Sequence, residues 1–415
     1  MIDLAFVPLV PLPAAFLVAS LVLALMAIGG ILRYRNAFNP LVFFAIYEGI
    51  FLTLVSAMIA LLIMSTPVDD VSKTLVVATF YFIGTAVAFL PVRLFGVRSF
   101  IRRLLLPGRL IATQAIRGRR FHLFFVAFAC LLVFLALMVA SGAGTLWITN
   151  PRVAYQSSRA GSGFLFLLVQ WLSLSGLLIF LFGRPQTILS SLKALAIYVP
   201  IAALTGSKAA ILSGFVLWSS FCNFSIRRIP VVWFLFAIVL FVPLMLSLLV
   251  AQGSYGDLLE ALDYFKDYVA TTATFLGRFD EFKLRYGTAS LSDLWFYVPR
   301  SAYPAKPFEY GLTLIHQVLY PGMAELGHTP GIFTWALPFL DFGVLGVFIS
   351  GVLGGLVKRL AYEYFLATPG SIYAFVLMMQ LALFPVFIYA NLPLSFLIAF
   401  LLARYAKLRF IGFSV

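Results

Sequence analysis

Long apolar runs, separated by short charged clusters, divide this chain of 415 residues. Eleven of them read as membrane spans: 11–31, 41–64, 74–91, 121–146, 164–182, 188–205, 209–225, 230–250, 333–357, 371–390 and 393–405. A span needs about 20 apolar residues, so the last reaches full length only by extending to residue 410 with its basic residues snorkelling. In lipid every backbone N–H and C=O must find a partner within the protein, which makes each span a helix. The pattern therefore predicts an all-α, polytopic integral membrane protein, a single membrane domain over 1–415. One large loop, 251–332, is inserted between spans and is too long to be a simple connection.

The pattern inside that loop is amphipathic. Leu258, Leu262, Phe265 and Val269 recur at helical spacing opposite Asp257, Glu260, Asp263 and Asp267. Phe275, Phe279 and Phe282 repeat the spacing beside Arg278, Glu281 and Lys283. Both stretches read as helices that lie on the outer membrane interface or pack onto the top of the bundle.

Composition agrees with the pattern. The chain is 63% hydrophobic and 11% charged, with a mean hydropathy of +1.05. The first run lacks a basic leader and a small-residue cleavage site, so it is read as a retained span. Of the 29 Lys and Arg residues, 19 fall on alternating loops, from Arg33 and Arg35 to Lys358, Arg359 and the C-terminal Arg404, Lys407 and Arg409. That side is cytoplasmic by the positive-inside rule. The N-terminus is then periplasmic, the C-terminus cytoplasmic and the 251–332 loop periplasmic. Segment 93–120 carries eight Arg and is expected along the anionic inner leaflet. The net charge of +14 thus reports topology, and no nucleic-acid partner is implied. The large loop is net −3.

Candidate chemistry gathers on the periplasmic side. A phrase occurs twice: Pro151-Arg152-Val153-Ala154-Tyr155 followed by Gly163, and Pro299-Arg300-Ser301-Ala302-Tyr303 followed by Gly311. Both copies are read as loops. An Arg fork matches phosphate geometry, so Arg152, Arg159 and Arg300 form a candidate anion site; Arg at a membrane boundary also simply meets lipid phosphates. In Thr205-Gly206-Ser207-Lys208 a helix is expected to break at Gly206 and restart, aiming a new N-terminus at an anion; snorkelling of Lys208 is the alternative. Three prolines make 298–311 a stiff strip that positions Arg300, Tyr303, Lys306 and Glu309. Candidate general bases are Glu309, Glu325, His316, His328 and Asp280. Lys306 is expected to keep Glu309 ionised. Arg278, Asp280 and Glu281 are also read as i,i+3 partners on a solvated helix face. Glu48 is intramembrane and either functional or internally paired. Asp341 precedes a glycine-containing helix-packing stretch. Cys130 and Cys222 lie in apolar runs without metal-ligand spacing. No P-loop, nucleophile elbow or zinc-protease signature occurs, and no cofactor or metal is expected.

These features together resemble the oligosaccharide repeat unit polymerases, the O-antigen polymerases of Wzy type. The resemblance rests on many spans, two Arg-x₁₀-Gly segments (Arg152 to Gly163, Arg300 to Gly311), the Gly206-Ser207-Lys208 break and the P-R-x₃-P-x-K-P strip from Pro299 to Pro307. Lys208 departs from the commoner Arg of that family. The resemblance implies a metal-independent membrane glycosyltransferase of GT-C-like build in the bacterial inner membrane, serving lipopolysaccharide biosynthesis. Its substrates would be undecaprenyl-pyrophosphate-linked oligosaccharides, and its partners membrane lipids, a chain-length co-polymerase and a flippase. Arg152, Arg300, Glu309 and Glu325 would be catalytic. Arg152, Tyr155, Arg159, Lys208, Arg278, Arg300, Tyr303, Lys306 and His328 would bind pyrophosphate or glycan. The related O-antigen ligase and a lipid-linked oligosaccharide flippase are the alternative readings; charges confined to one face disfavour the flippase.

Overall fold

The computed structural model describes residues 7–63, 66–90, 119–158, 162–182, 187–230, scattered positions in 232–250, 258–298, 300, 303–325, 330–367 and 372–383. Among these residues every regular element is a helix. Six helices are long and apolar enough to cross a membrane: Leu12–Tyr34, Pro40–Leu62, Val68–Ala88, Leu123–Ala140, Gly163–Phe182 and Ala336–Ala367. They overlap the apolar runs expected at 11–31, 41–64, 74–91, 121–146, 164–182 and 333–357. Ile188–Leu204, Ala210–Ser225 and Ala374–Leu383 are shorter apolar helices. Most of 230–250 and all of 393–405 lie outside the described residues, as do Arg159 and His328.

Two boundaries differ from the pattern. The third span begins at Val68, because Pro67 starts it and Asp69 and Asp70 fall in its first turn, where the helix dipole favours negative charge. Lys358 and Arg359, expected in a loop, lie inside the Ala336–Ala367 helix. Arg359 is 4% exposed and donates from Nη1 to the carbonyls of Ala88 and Leu90, each at 2.9 Å. Arg33 donates to Phe89 between them. Two guanidiniums thus satisfy the orphan carbonyls at the end of the Val68–Ala88 helix.

The chain divides into two compact units. The first holds residues 1–35, 39–92 and 262–359. Here Val68–Ala88 packs on Ala336–Ala367 through glycines. A methyl group on Gly84 would meet the Phe348 carbonyl oxygen, and one on Gly351 the Tyr81 carbonyl oxygen. Small residues at such a seam let helix backbones approach closely. The centre of the second span, Ala45–Val55, is a π-helix containing Glu48. Lys358 is the opposite charge that acts on Glu48 within the unit.

Opposite ends of the 21-residue Val68–Ala88 helix define two poles about 30 Å apart at 1.5 Å per residue. Arg33 and Arg359 hold one end. At the other, Gly277 of the large loop lies so close to the Asp70 carboxylate that a methyl there would be 2.7 Å from Oδ2. The loop is therefore built on the pole away from the two arginines.

Within the loop, Leu258–Gly277 is a helix, as the first amphipathic stripe predicted. The second stripe is not one: the helix stops at Gly277 and a single 3-10 turn follows over Phe279–Glu281. Phe275 and Phe282 are buried. Their rings, with Phe279, pack against one another and against Phe339 at 4.9–6.4 Å. This stretch rests on the bundle.

The second unit holds 36–38, 93–261 and 360–415. Arg119–Ala140 packs along Gly163–Phe182, and Ile188–Leu204 against both Gly163–Phe182 and Lys208–Ser225. Phe182, Phe221 and Phe375 form an aromatic cluster with ring centroids 4.9 and 5.2 Å from Phe182. Trp147 is fully buried beside Phe166.

Candidate functional site

The expected break at Gly206 is present. Ile188–Leu204 ends at Thr205, whose hydroxyl donates to the Ala202 carbonyl at 2.7 Å. Gly206 adopts a left-handed φ of 63° and donates its N–H to Ala203, a glycine stop in which other residues are strained. Ser207 is extended and Lys208–Ser225 starts the second helix. The Tyr198 hydroxyl donates to the Ala210 carbonyl at 2.7 Å and braces the two helices across the break.

The first copy of the repeated phrase, expected as a loop, is the helix Pro151–Ser158. Pro151 opens it, where a missing N–H costs nothing, and Asn150 Oδ1 accepts from Val153 N at 3.3 Å, the geometry of an N-cap. This helix start abuts the break: a methyl on Gly206 would collide with the Pro151 carbonyl oxygen. Arg152 Nη1 donates to the Gly206 carbonyl across a long 3.4 Å. Its guanidinium lies over the ring of Tyr155, 5.2 Å from the centroid, and Tyr155 rests on Phe166 at 5.0 Å. Arg152 Nε is buried and meets no hydrogen-bond acceptor among the described residues. A buried unpaired donor on a cation costs at least about 1–3 kcal/mol, a cost that an anionic oxygen placed there would remove. Two features that the sequence offered separately, Arg152 with Tyr155 and the Gly206 break, are thus brought together inside one unit. The side chain of Lys208 lies outside the described residues.

The second copy lies in the first unit and is used differently. Arg300 Nη1 donates to the carbonyls of Lys306 at 2.6 Å and Pro304 at 3.4 Å, and Nη2 to Pro307 at 3.1 Å. Its guanidinium stacks over Phe308 at 3.8 Å. Residues 303–310 form no helix, as expected for the stiff strip. Tyr303 stacks on Trp295 at 5.4 Å. Lys306 Nζ donates to the Val298 carbonyl at 3.0 Å and lies over Tyr310 at 4.5 Å. Lys306 makes no ion pair with Glu309; its ammonium goes to that carbonyl and ring. Glu309 is half-buried and makes no hydrogen bond or ion pair with the described residues; Glu325 is exposed.

Other candidates have structural occupations. His316 is fully buried, with Nδ1 3.0 Å from the Thr313 carbonyl oxygen, so it is withdrawn from solvent. Arg278 holds Glu281 through two hydrogen bonds of 2.6 and 2.7 Å, which raise the guanidinium's pKa and lower that of the carboxyl. The pair is exposed and stabilises little. Asp280 is exposed. Asp341 is fully buried and accepts from the N–H groups of Gly287, Ala289 and Ser290 at 2.8–3.0 Å and from the Ser290 hydroxyl. It caps the Thr288–Ser292 helix from a span that breaks immediately after it, at Phe342 and Gly343.

Asp293 was not singled out from the sequence. Its carboxylate abuts Gly311, where a methyl would collide with Oδ1. Burial raises its pKa above the ordinary value of 3.8. The signal was available as the one acid within the apolar stretch 291–297. Among the described residues no group of three or more His, Cys, Asp or Glu could hold a metal ion.

No family model, curated protein or solved structure matches the chain.

Proposed function

We propose that this membrane protein is a repeat unit polymerase of the bacterial inner membrane, transferring a growing undecaprenyl-pyrophosphate-linked glycan onto an incoming lipid-linked repeat unit at the periplasmic face. The observation that carries this reading is Arg152 at the Gly206 break, with a buried donor lacking an acceptor beside the start of an 18-residue helix. Such a helix start favours anions. In the proposed step a hydroxyl of the acceptor sugar attacks the anomeric carbon of the donor glycan. The bond from that carbon to the pyrophosphate oxygen breaks, and undecaprenyl pyrophosphate leaves carrying the electron pair. Arg152 stabilises the charge that develops on the leaving oxygen. The hydroxyl proton passes to a general base or to water. Eleven spans, a periplasmic 251–332 loop, a periplasmic N-terminus and a cytoplasmic C-terminus belong to the same reading.

The test is purified protein with lipid-linked repeat units, read by glycan length on a gel. Multi-unit glycans on the lipid support polymerisation. Transfer only to a lipid A core acceptor assigns the ligase reaction instead, and movement of unaltered substrate across the bilayer assigns a flippase.

A further inference from the structure

We propose that residues 286–296 form an interfacial element whose apolar face inserts into the hydrocarbon edge of the bilayer, with lipid acyl chains as its partner. This rests on the chain crossing a membrane and is independent of the enzymatic reading.

Tyr286, Leu291 and Leu294 are 70%, 66% and 62% exposed, and Phe296 is exposed beside them. Exposed side chains of that size, gathered within eleven residues of a loop, mark an interaction surface. Leu291 lies on the short Thr288–Ser292 helix, and Leu294 and Phe296 on the 3-10 turn Asp293–Tyr297 that follows it. Gly287 borders Phe342, whose Cζ would be 3.5 Å from a methyl on that glycine. Phe342 in turn begins the exposed stripe Phe342, Leu345, Ile349, Leu353 and Val357 along the Ala336–Ala367 span. That stripe faces lipid if the helix crosses a membrane, and the apolar face of the loop continues it.

The backbone is prepared for the same environment. Hydrocarbon leaves no water to satisfy N–H groups. Those of Gly287, Ala289 and Ser290 donate to the Asp341 carboxylate, and that of Thr288 donates to the Arg285 carbonyl. Arg285 N and Tyr286 N donate to the carbonyls of Leu340 and Asp341, which the break after Asp341 leaves without helical partners. The segment is thus tied to the span at its boundary. Its polar groups turn elsewhere: the Ser292 hydroxyl accepts from Gly311 N at 2.8 Å, Asp293 abuts Gly311, and Arg285 Nη2 donates to Gln317.

The test is depth measurement on the full chain in phosphatidylethanolamine/phosphatidylglycerol vesicles. Single spin labels are placed by Leu291→Cys, Leu294→Cys and Tyr286→Cys in a Cys130→Ala/Cys222→Ala background. Collisions with oxygen, which partitions into lipid, are compared with collisions with a water-soluble nickel chelate. The proposal expects the oxygen-to-nickel ratio at 291 and 294 to approach that of Ile349→Cys on the span. A ratio equal to that of Lys283→Cys, an exposed charged position, overturns it. Protection from both reagents shows a protein surface on the face and overturns it equally.

Discussion

The same five-residue phrase, Pro-Arg-x-x-Tyr, is a capped helix at 151–155, whereas its second copy at 299–303 leads into residues 303–310, which form no helix. In the first copy the Arg lies over its own Tyr, one helical turn on, and reaches a carbonyl 54 residues away at a helix break. In the second the Arg folds back on its own chain, bonding carbonyls four to seven residues on, while the Tyr stacks on Trp295. The neighbours explain the split. Asn150 caps the first copy and no proline follows within it, whereas Pro304 and Pro307 remove the N–H groups a helix would need in the second. Equal residue types therefore carry unequal duties: Arg152 keeps a buried donor with no acceptor among the described residues, and Arg300 staples a loop.

The strongest way to break this contrast is at the glycines. Gly206→Ala combines a left-handed φ with a methyl driven into a backbone oxygen. Strain of this kind costs ~1–3 kcal/mol before the clash is counted. Thermal unfolding in detergent should show a large loss of stability, with loss of any activity that depends on Arg152. Gly311→Ala also carries a left-handed φ of 55°, but its obstacle is the Asp293 side chain, which can rotate. It should therefore be the milder variant; equal or reversed losses would show that the Pro151–Gly206 contact is not what fixes the first site.

Next come the arginines. Arg300→Ala removes three carbonyl contacts and the stack on Phe308, so it should lower the melting temperature. Arg152→Ala should lower melting less, since it deletes one long hydrogen bond and the contact with the Tyr155 ring but relieves a buried unpaired donor. Glycan extension should nonetheless be lost, with only partial rescue by Arg152→Lys because an ammonium lacks the fork. Arg152→Ala melting as low as Arg300→Ala would assign both a structural role.

The caps give smaller effects. Asn150→Ala should cost about 1 kcal/mol or less, given its 3.3 Å bond. Asp341→Ala should cost more, because it orphans the donors of Gly287, Ala289 and Ser290 together. Chemical denaturation of both variants checks the order.

The smallest expected effect is on pH dependence. Burial raises the Asp293 pKa above 3.8, so in the window between 3.8 and its higher folded value the folded state binds the extra proton. Stability from this group is thus greatest below 3.8 and falls as pH rises through the folded value. Asp293→Asn should melt slightly higher than wild type near neutrality and lose that advantage in acid. An advantage that grows in acid would contradict the sign.

What the sequence by itself determined are the features set within one turn or one span. Hydropathy summed over some twenty residues locates helices, because an apolar run of that length spans lipid as a helix that pairs its own backbone. A glycine between two apolar runs locates the Gly206 break, and three prolines locate the non-helical strip. What only the tertiary structure decided are the duties of individual side chains. Arg359 reads as a topology signal in sequence, yet it caps a helix end 271 residues away. Asp341 reads as a neighbour of packing glycines and instead caps a loop helix more than fifty residues earlier. Glu48 takes Lys358 as its charge partner, and Lys306 takes a carbonyl and a ring in place of Glu309. The physical reason is the same for Arg359 and Asp341. A charged group in a poorly hydrated bundle must find a partner in space, and the partner that wins is set by how helices distant in sequence pack together, not by residue spacing along the chain.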